Sequence, residues 1–517
     1  MKYPFNLIAI VTLLLFACDP STPTDHAFQR SQQVVRHRIF HNQTVRNAWL
    51  AMAGNIFEAT TRAQKPRDTK PTKPTCSDNI SEGLLIEPAH YYGANGVLTT
   101  TLSYTASQGS EGNIRFCYLT DDGLQNPTLH VKPGDHLRLT LRNTTTESHE
   151  AATMAMDMSG DMGGMAHHSS PCGASVMTDQ TTNLHFHGTH TRPVCHQDDA
   201  LRTMVNPGES FSYDLVIPAD ASPGLHWYHP HVHGLSEAAT QGGASGAIII
   251  DGIEDVVPAV RGLQQRVVVV RDHLLPPGTE VTGTTPAWDL SLNGSIIRYP
   301  NYKHPSVFMT AQQPEFWRVL NASADAMIDL QVSFDGVAQP LALVALDGVP
   351  TNVVKASGRG KTLTVTHHLL APGNRVELLV QPPDASVKRA QLITRYVDTG
   401  PDGDLDPTRP LLELKLGSEI PLHPSRLAQP APRETGPVAT ELDRYAGLDR
   451  VVPATTRKIY FSSTDHDEDT DFFIVVDGDK PKVFSPHLPP AVVTRQGTTE
   501  DWIIENRTKE LHSFHIH

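Results

Sequence analysis

In "PTLHVKPGDHLRLTLRN", residues 127 to 143, Leu129 and Val131 precede a Pro-Gly-Asp turn, and Leu137, Leu139 and Leu141 alternate with polar positions after it. Successive strand side chains point to opposite faces, so the pattern predicts a hairpin with one buried face. A related rhythm returns in "PSVFMTAQQPEFWRVLNAS" and again in "PAVVTRQGTTEDWIIENRT". Each time a strand leads through a turn into a strand that ends in Asn. Three occurrences, starting near residues 127, 305 and 489, predict three copies of one sandwich module, the third with only a few residues after it.

Upstream of Cys76 the pattern is different. Residues 19 to about 64 carry few Gly or Pro, and Val35 and Ile39, then Trp49, Met52 and Ile56, keep roughly helical spacing. "KPRDTKPTKPT" follows, which reads as an extended, solvated linker. Ahead of both, "MKYPFNLIAIVTLLLFAC" places Lys2 before an apolar run from Leu7 to Phe16 that is too short to span a bilayer, the order of a secretory signal. "LFAC" resembles a bacterial lipoprotein cleavage box, in which Cys18 becomes the lipidated first residue and attaches the chain to a membrane. Plain signal cleavage stays open. Export to the periplasm or cell envelope is the expectation either way.

Composition sharpens this picture in two places. A net charge of -14 leaves no basic patch for phosphates and argues against nucleic acid as a partner. Leaving Cys18 aside, Cys76, Cys117, Cys172 and Cys195 are an even number, as expected for disulfides in an oxidising compartment. Three pairings are open; Cys76–Cys117 and Cys172–Cys195 are favoured because each closes a modest local loop. No pair has the CxxC spacing of a thiolate metal site.

The candidate chemistry is histidine. Three His-x-His pairs occur: His185 and His187, His229 and His231, His515 and His517. In a strand, residues two apart share a face about 7 Å apart, which suits giving one imidazole to each of two neighbouring metals. A lone pair is more often two hydrogen-bonded strand histidines, but three pairs, two of them inside "NLHFHGTH" and "GLHWYHPHVHG", point to metal. Imidazole alone does not choose between copper, zinc, iron and nickel. "HFHGTH" has the spacing of a zinc hydrolase motif of the metallo-β-lactamases, yet Thr189 stands where that motif needs an Asp. Near these pairs, His190, His196, His226 and His233 are read as supporting or solvated groups. "MAMDMSGDMGGMAHH" sets five methionines, Met154 to Met165, before His167 and His168; thioethers select Cu(I), and the alternative is a low-complexity insertion. "DTGPDGDLDP" reads as a turn-rich loop leaving the second module.

With "TNLHFHG", "GLHWYHPHVHG", "PTLHVKPGD", "LNG", "FWRVLNAS", "ALDGVP", "APGNRVELLV" and "LHSFHIH" in this order, the chain resembles the three-domain multicopper oxidases, the laccases and bacterial copper-resistance oxidases, over most of residues 80 to 517. The resemblance implies an all-β protein of tandem cupredoxin-like Greek-key sandwiches: a signal at 1–18, a helical extension and linker at 19–75, domains at 76–255 and 256–420, and an incomplete third at 421–517. It implies a copper enzyme in which a type 1 copper takes electrons from a reducing substrate and passes them to a trinuclear cluster that reduces dioxygen to water. Carried over residue by residue, His185 and His515 match the type 2 copper ligands, His187 and His229 one type 3 copper, and His231 and His517 the other. His512 matches the first type 1 ligand, and Asp198, or its neighbour Asp199, falls near the acidic residue that assists proton delivery. The alternative for Asp198 is an exposed loop carboxylate.

The family's His-Cys-His motif does not occur in this sequence, and no cysteine follows Cys195. Six of the eight cluster histidines are present, with one type 1 ligand and no thiolate to complete that site. The expectation is therefore a fragment whose full form oxidises phenols, aromatic amines or metal ions such as Cu(I), and which is inactive as an oxidase if it ends at His517. The alternative is a non-enzymatic envelope protein that sequesters copper. A two-domain nitrite reductase is disfavoured, because "HWYHPHVHG" lacks the Cys that family carries there.

Overall fold

The structure, a computed structural model, describes residues 75–77, 83–109, 112–146, 172–174, 176–351, 363–417, 447, 450–465, 470–485 and 488–517. The signal, the helical extension, the linker up to residue 74, Cys18 and the Met/His stretch 154–168 lie outside them. Among the described residues the chain is built from strands, with two short α-helices at Ser236–Gln241 and Ile253–Val256.

Two sheets form the first sandwich. One runs in the order Ile114–Leu119, Val97–Gln108, His136–Asn143, Ser210–Val216; the other in the order His90–Tyr92, Thr128–Val131, Gly246–Ile250, Gly224–His229, His185–His187. The alternation at 136–143 does what the sequence pattern requires. Leu137, Leu139 and Leu141 are buried and sit opposite Leu215, Tyr213 and Phe211, while Arg138 and Arg142 face out. They join Leu129, Val131, Ile248 and Ile250 from the opposite sheet in one core. Burial of each such side chain contributes roughly 1.5–3 kcal/mol.

The predicted hairpin is a correction. Thr128–Val131 and His136–Asn143 belong to different sheets, so the Pro133-Gly134-Asp135 turn is a corner between layers and not a hairpin. All four residues of Thr128–Val131 are buried, because the strand lies inside its sheet between His90–Tyr92 and Gly246–Ile250. Two apolar positions two apart cannot distinguish a half-buried hairpin strand from a fully buried interior one.

The second sandwich repeats the step. Ser306–Met309 lies in a sheet with Arg409–Leu416, Ala390–Arg395 and Ile328–Phe334, whereas Glu315–Asn321 lies in the facing sheet between Gln265–His273 and Arg375–Val380. A third sheet contains Thr470–Val476, Thr455–Asp465 and Glu500–Asn506. In each of the three copies the repeated strand pairs parallel with a long earlier strand: His136–Asn143 with Val97–Gln108, Glu315–Asn321 with Gln265–His273, and Glu500–Asn506 with Thr455–Asp465.

The terminal Asn has one function in all three. The Oδ1 of Asn143, Asn321 and Asn506 accepts the backbone N–H two residues on, of Thr145, Ser323 and Thr508. Their Nδ2 groups donate to backbone carbonyls, Gln180 and Val205, Ala326 and Leu370, and Glu510 respectively. The side chain thus closes the turn that leaves the strand, a short-range bond that Asn makes readily.

Both favoured disulfides are present, Cys76–Cys117 and Cys172–Cys195. Where the first two sandwiches meet, Leu225, Trp227, Ala247 and Ile249 of the first pack on Val267, Val269, Leu320 and Ala322 of the second in a separate apolar cluster.

Candidate metal centre

The site grows from the edge of the five-stranded sheet. His185–His187 pairs antiparallel with Gly224–His229, setting His185 opposite His229 and His187 opposite Trp227. Period-two geometry then turns His185 and His187 to one face. Gly188, at φ +80°, ends the short strand in the left-handed region that glycine accepts without cost. Asn183, just before it, is buried; its Nδ2 donates to the carbonyls of Ala200 and Thr203, and its Oδ1 accepts the N–H of His231 at 2.7 Å. One amide therefore fixes the segment carrying His231 against the segment carrying His185.

Six imidazoles converge. The ring of His185 lies 5.4 Å from that of His187, 5.2 Å from His229 and 5.2 Å from His231, centre to centre. The C-terminal segment brings the other two: His517 stacks on His185 at 4.2 Å and His515 on His187 at 4.0 Å. His517 also meets His231 edge-on at 4.5 Å. One ligand nitrogen from each of His185, His187 and His515 can be chosen so that all three lie within 4.8 Å of one another. The segment 509–511 is held by the second sandwich, where Leu511 donates to the Thr399 carbonyl at 2.7 Å and Asp402 to that of Lys509. The loop "DTGPDGDLDP" is thus the dock for "LHSFHIH".

The free atoms fit a metal. His185 Nδ1 is 3.0 Å from Asp198 Oδ1, and His229 Nδ1 is 2.9 Å from the Pro230 carbonyl. Each contact holds the ring proton on Nδ1 and leaves Nε2 as a lone pair. Both Nε2 atoms are buried without a hydrogen-bond partner in the protein. An unsatisfied buried acceptor costs about 1–3 kcal/mol, which a cation would reverse. Burial drives His185, His187 and His229 well below the ordinary imidazole value, and His231 and His515 down to about 4. All are neutral at neutral pH, the form that ligates.

Asp198 is not an exposed loop carboxylate. It is largely buried, accepts the N–H of Phe186 at 3.1 Å as well as His185 Nδ1, and burial raises its pKa. Asp199 instead pairs with Arg202 at 3.0 Å. His512 stands elsewhere: its ring contacts are Phe461 and Phe472, and its Nε2 is 2.8 Å from Thr508 Oγ1. His196 stacks on Phe211 and His233 meets Phe484, outside the cluster. His226 is buried against Gly188 and Gly348, where an added Cβ would lie 3.1 Å and 2.3 Å from its ring.

Residues 175–255, which span two of the three His-x-His pairs, match the sequence profile of a family described as multicopper oxidase. Over this stretch the chain is similar to the multicopper oxidases. Its fold matches those of solved multicopper oxidases at low identity. One from Campylobacter jejuni, described as a metallo-oxidase, is 19% identical with a TM-score of 0.55, covering 85% of this chain and 83% of that one. A McoA multicopper oxidase variant from the hyperthermophile Aquifex aeolicus is 18% identical with a TM-score of 0.51, covering 76% and 74%. A multicopper oxidase from Pediococcus acidilactici is 18% identical with a TM-score of 0.51, covering 86% and 79%. No curated protein matches the chain significantly. For a multicopper oxidase fold the donor set here, six neutral imidazoles of which His185 and His229 have buried unpaired nitrogens, is chemically apt for copper. Asn183 and the second-sandwich residues that back the cluster were not singled out in sequence; the quoted motif "APGNRVELLV" was the available signal for the latter.

Proposed function

We propose that the protein is a copper oxidoreductase coupling one-electron oxidation of phenols, aromatic amines or metal ions such as Cu(I) to reduction of dioxygen to water. The observation that carries this is the convergence of six neutral imidazoles from three chain segments, two of them with buried, unpaired Nε2 atoms. His185 and His515 are assigned to the type 2 copper, His187 and His229 to one type 3 copper, His231 and His517 to the other, and His512 to the type 1 copper. Bound copper would supply electron transfer and dioxygen binding. The chain's own residues orient and gate protons: Asp198 holds His185 by Nδ1, and its raised pKa suits a carboxyl that both accepts and returns a proton beside the cluster. The metallo-oxidase description of the Campylobacter jejuni protein supports a metal-ion substrate. We further propose export to the periplasm or cell envelope, with a lipid on Cys18 as the attachment.

A second reading is copper sequestration without turnover. It is supported by the surroundings of His512, since every cysteine among the described residues is in a disulfide and none offers a thiolate there. Oxygen uptake by the copper-loaded full chain, with a phenol and with Cu(I), separates the readings. Uptake with either reductant is the result expected once a thiolate completes the type 1 site beside His512. Bound copper with no uptake would leave sequestration, and a chain whose histidine cluster takes up no copper would sink both.

A further inference from the structure

The motif "APGNRVELLV" lies in the second sandwich, yet two of its side chains act on the strand that carries His229. Gly224–His229 is paired along one side with Gly246–Ile250, and along the other only Trp227 to His229 are covered, by His185–His187. At Leu225 that second side would be bare. There Glu377 accepts the Leu225 N–H at 3.0 Å and Arg375 Nε donates to the Leu225 carbonyl at 3.2 Å. Two side chains thus replace a missing strand, satisfying both main-chain polar groups of one buried residue. Glu377 is in turn held by the Arg318 guanidinium.

Arg375 reaches further. Its Nη1 donates to the Gly373 carbonyl at 2.8 Å and its Nη2 to that of Asp347 at 3.0 Å. This pins the turn at Gly373, whose added Cβ would meet His187 Cε1 at 3.2 Å. The guanidinium also lies against Gly188, where an added Cβ would meet Nη2 at 2.5 Å. The side chain is 4% exposed, and its nearest carboxylate, on Asp347, is half-exposed at 3.5 Å. Asp347 and Glu377 offset part of its charge, and it is among the charges acting on His185, His187 and His515.

We propose that Arg375 is a positioning residue of the histidine cluster: with Glu377 it clamps the Leu225 peptide, and through Gly373 and Gly188 it fixes His187 from behind. The proposal rests on the reading of the cluster as a copper site. A fork of donors is what the position requires, so lysine, with its charge on a point, does not replace it.

The test is the copper affinity of the full chain, by competition with a chelator, together with the Cu(II) paramagnetic resonance spectrum. R375K and R375M are compared with the unsubstituted chain. R375K keeps charge and stem and carries the test where R375M fails to fold. Loss of a group that orients a ligand typically costs 10–100-fold in metal affinity, so a drop of about that size with an altered copper spectrum is expected in both variants. Unchanged affinity and an unchanged spectrum in R375K, even with a lowered melting temperature, would overturn the proposal and confine Arg375 to joining the sandwiches. A chain that binds no copper at all would instead remove the reading beneath it.

Discussion

The pairs His185/His187 and His515/His517 have the same spacing and end in the same cluster, but they arrive there differently. His185–His187 is a paired strand with all three residues buried, backed by Asn183, Asp198 and Arg375. His515 and His517 are exposed and have no ladder of their own. They reach the site because residues 509–511 dock on the loop after Val397 and because their rings stack on His187 and His185. One half of the cluster is built into a core; the other is laid over it. The difference extends to the surrounding sheets: the first sandwich buries a continuous apolar core, whereas in the third sheet only Ile459 and Val475 are buried among the described hydrophobic residues.

The contrast implies that the halves contribute unequally to metal binding. The double variant H185A/H187A removes the preorganised half and is expected to abolish copper retention by the cluster, read as copper per chain after dialysis against a weak chelator. The double variant H515A/H517A is expected to leave part of it, because four positioned imidazoles remain. Equal losses would show that the docked segment is as ordered in solution as the strand.

The strand-ending Asn offers the same contrast without a metal. Asn143 is buried, and its loss leaves the Thr145 N–H and the Gln180 carbonyl without the partner they have here and takes one of two donors from the Val205 carbonyl. Asn143→Ala is expected to cost about 2–4 kcal/mol. Asn506 makes the equivalent bonds to Thr508 and Glu510 at an exposed position, where water can take over, so Asn506→Ala is expected to cost less than about 1 kcal/mol. Calorimetric unfolding of the two variants measures the gap, and similar shifts would mean that the third sheet is shielded from solvent in the folded protein.

These same Asn residues show what could be read in advance. The threefold rhythm was visible because each repeat ends in an amide needed to close the same turn, and the leucine alternation at 137–141 because one face of that strand is solvated. The corner at Pro133 was misread as a hairpin, since Leu129 and Val131 look the same in an interior strand as in an edge one. The histidines were legible because ligands must be of few residue types at fixed spacing. Asp198 was only half legible: its place near the motif was clear, but whether it faces solvent depends on the fold of 192–200 around it. Arg375 was invisible as a site residue, because its neighbours Leu225 and Gly188 lie more than a hundred positions away, the first bound through a backbone carbonyl that any sequence carries and the second met only by close approach.

The smallest expected effect is on pH dependence, and it divides the two halves once more. His231, on the built half, and His515, on the docked half, both titrate near 4 in the folded chain against 6.5 for a free imidazole, burial being the larger cause in each. The unfolded chain therefore binds more protons than the folded one between these values. Stability contributed by the neutral rings is fully present above 6.5 and is lost as the pH falls through about 4. His231 is fixed to the buried Asn183 of the first sandwich through its backbone N–H, so its proton uptake should lower the melting temperature of the copper-free chain on acidification. His515 can be released by undocking the last residues alone. Its uptake should appear as faster hydrogen exchange over 509–517 at a pH where the melting temperature has scarcely moved. His231→Gln is expected to flatten the melting-temperature slope and His515→Gln only the exchange profile. If both substitutions flatten both, the C-terminal segment opens together with the core, and the two halves of the cluster form one cooperative unit.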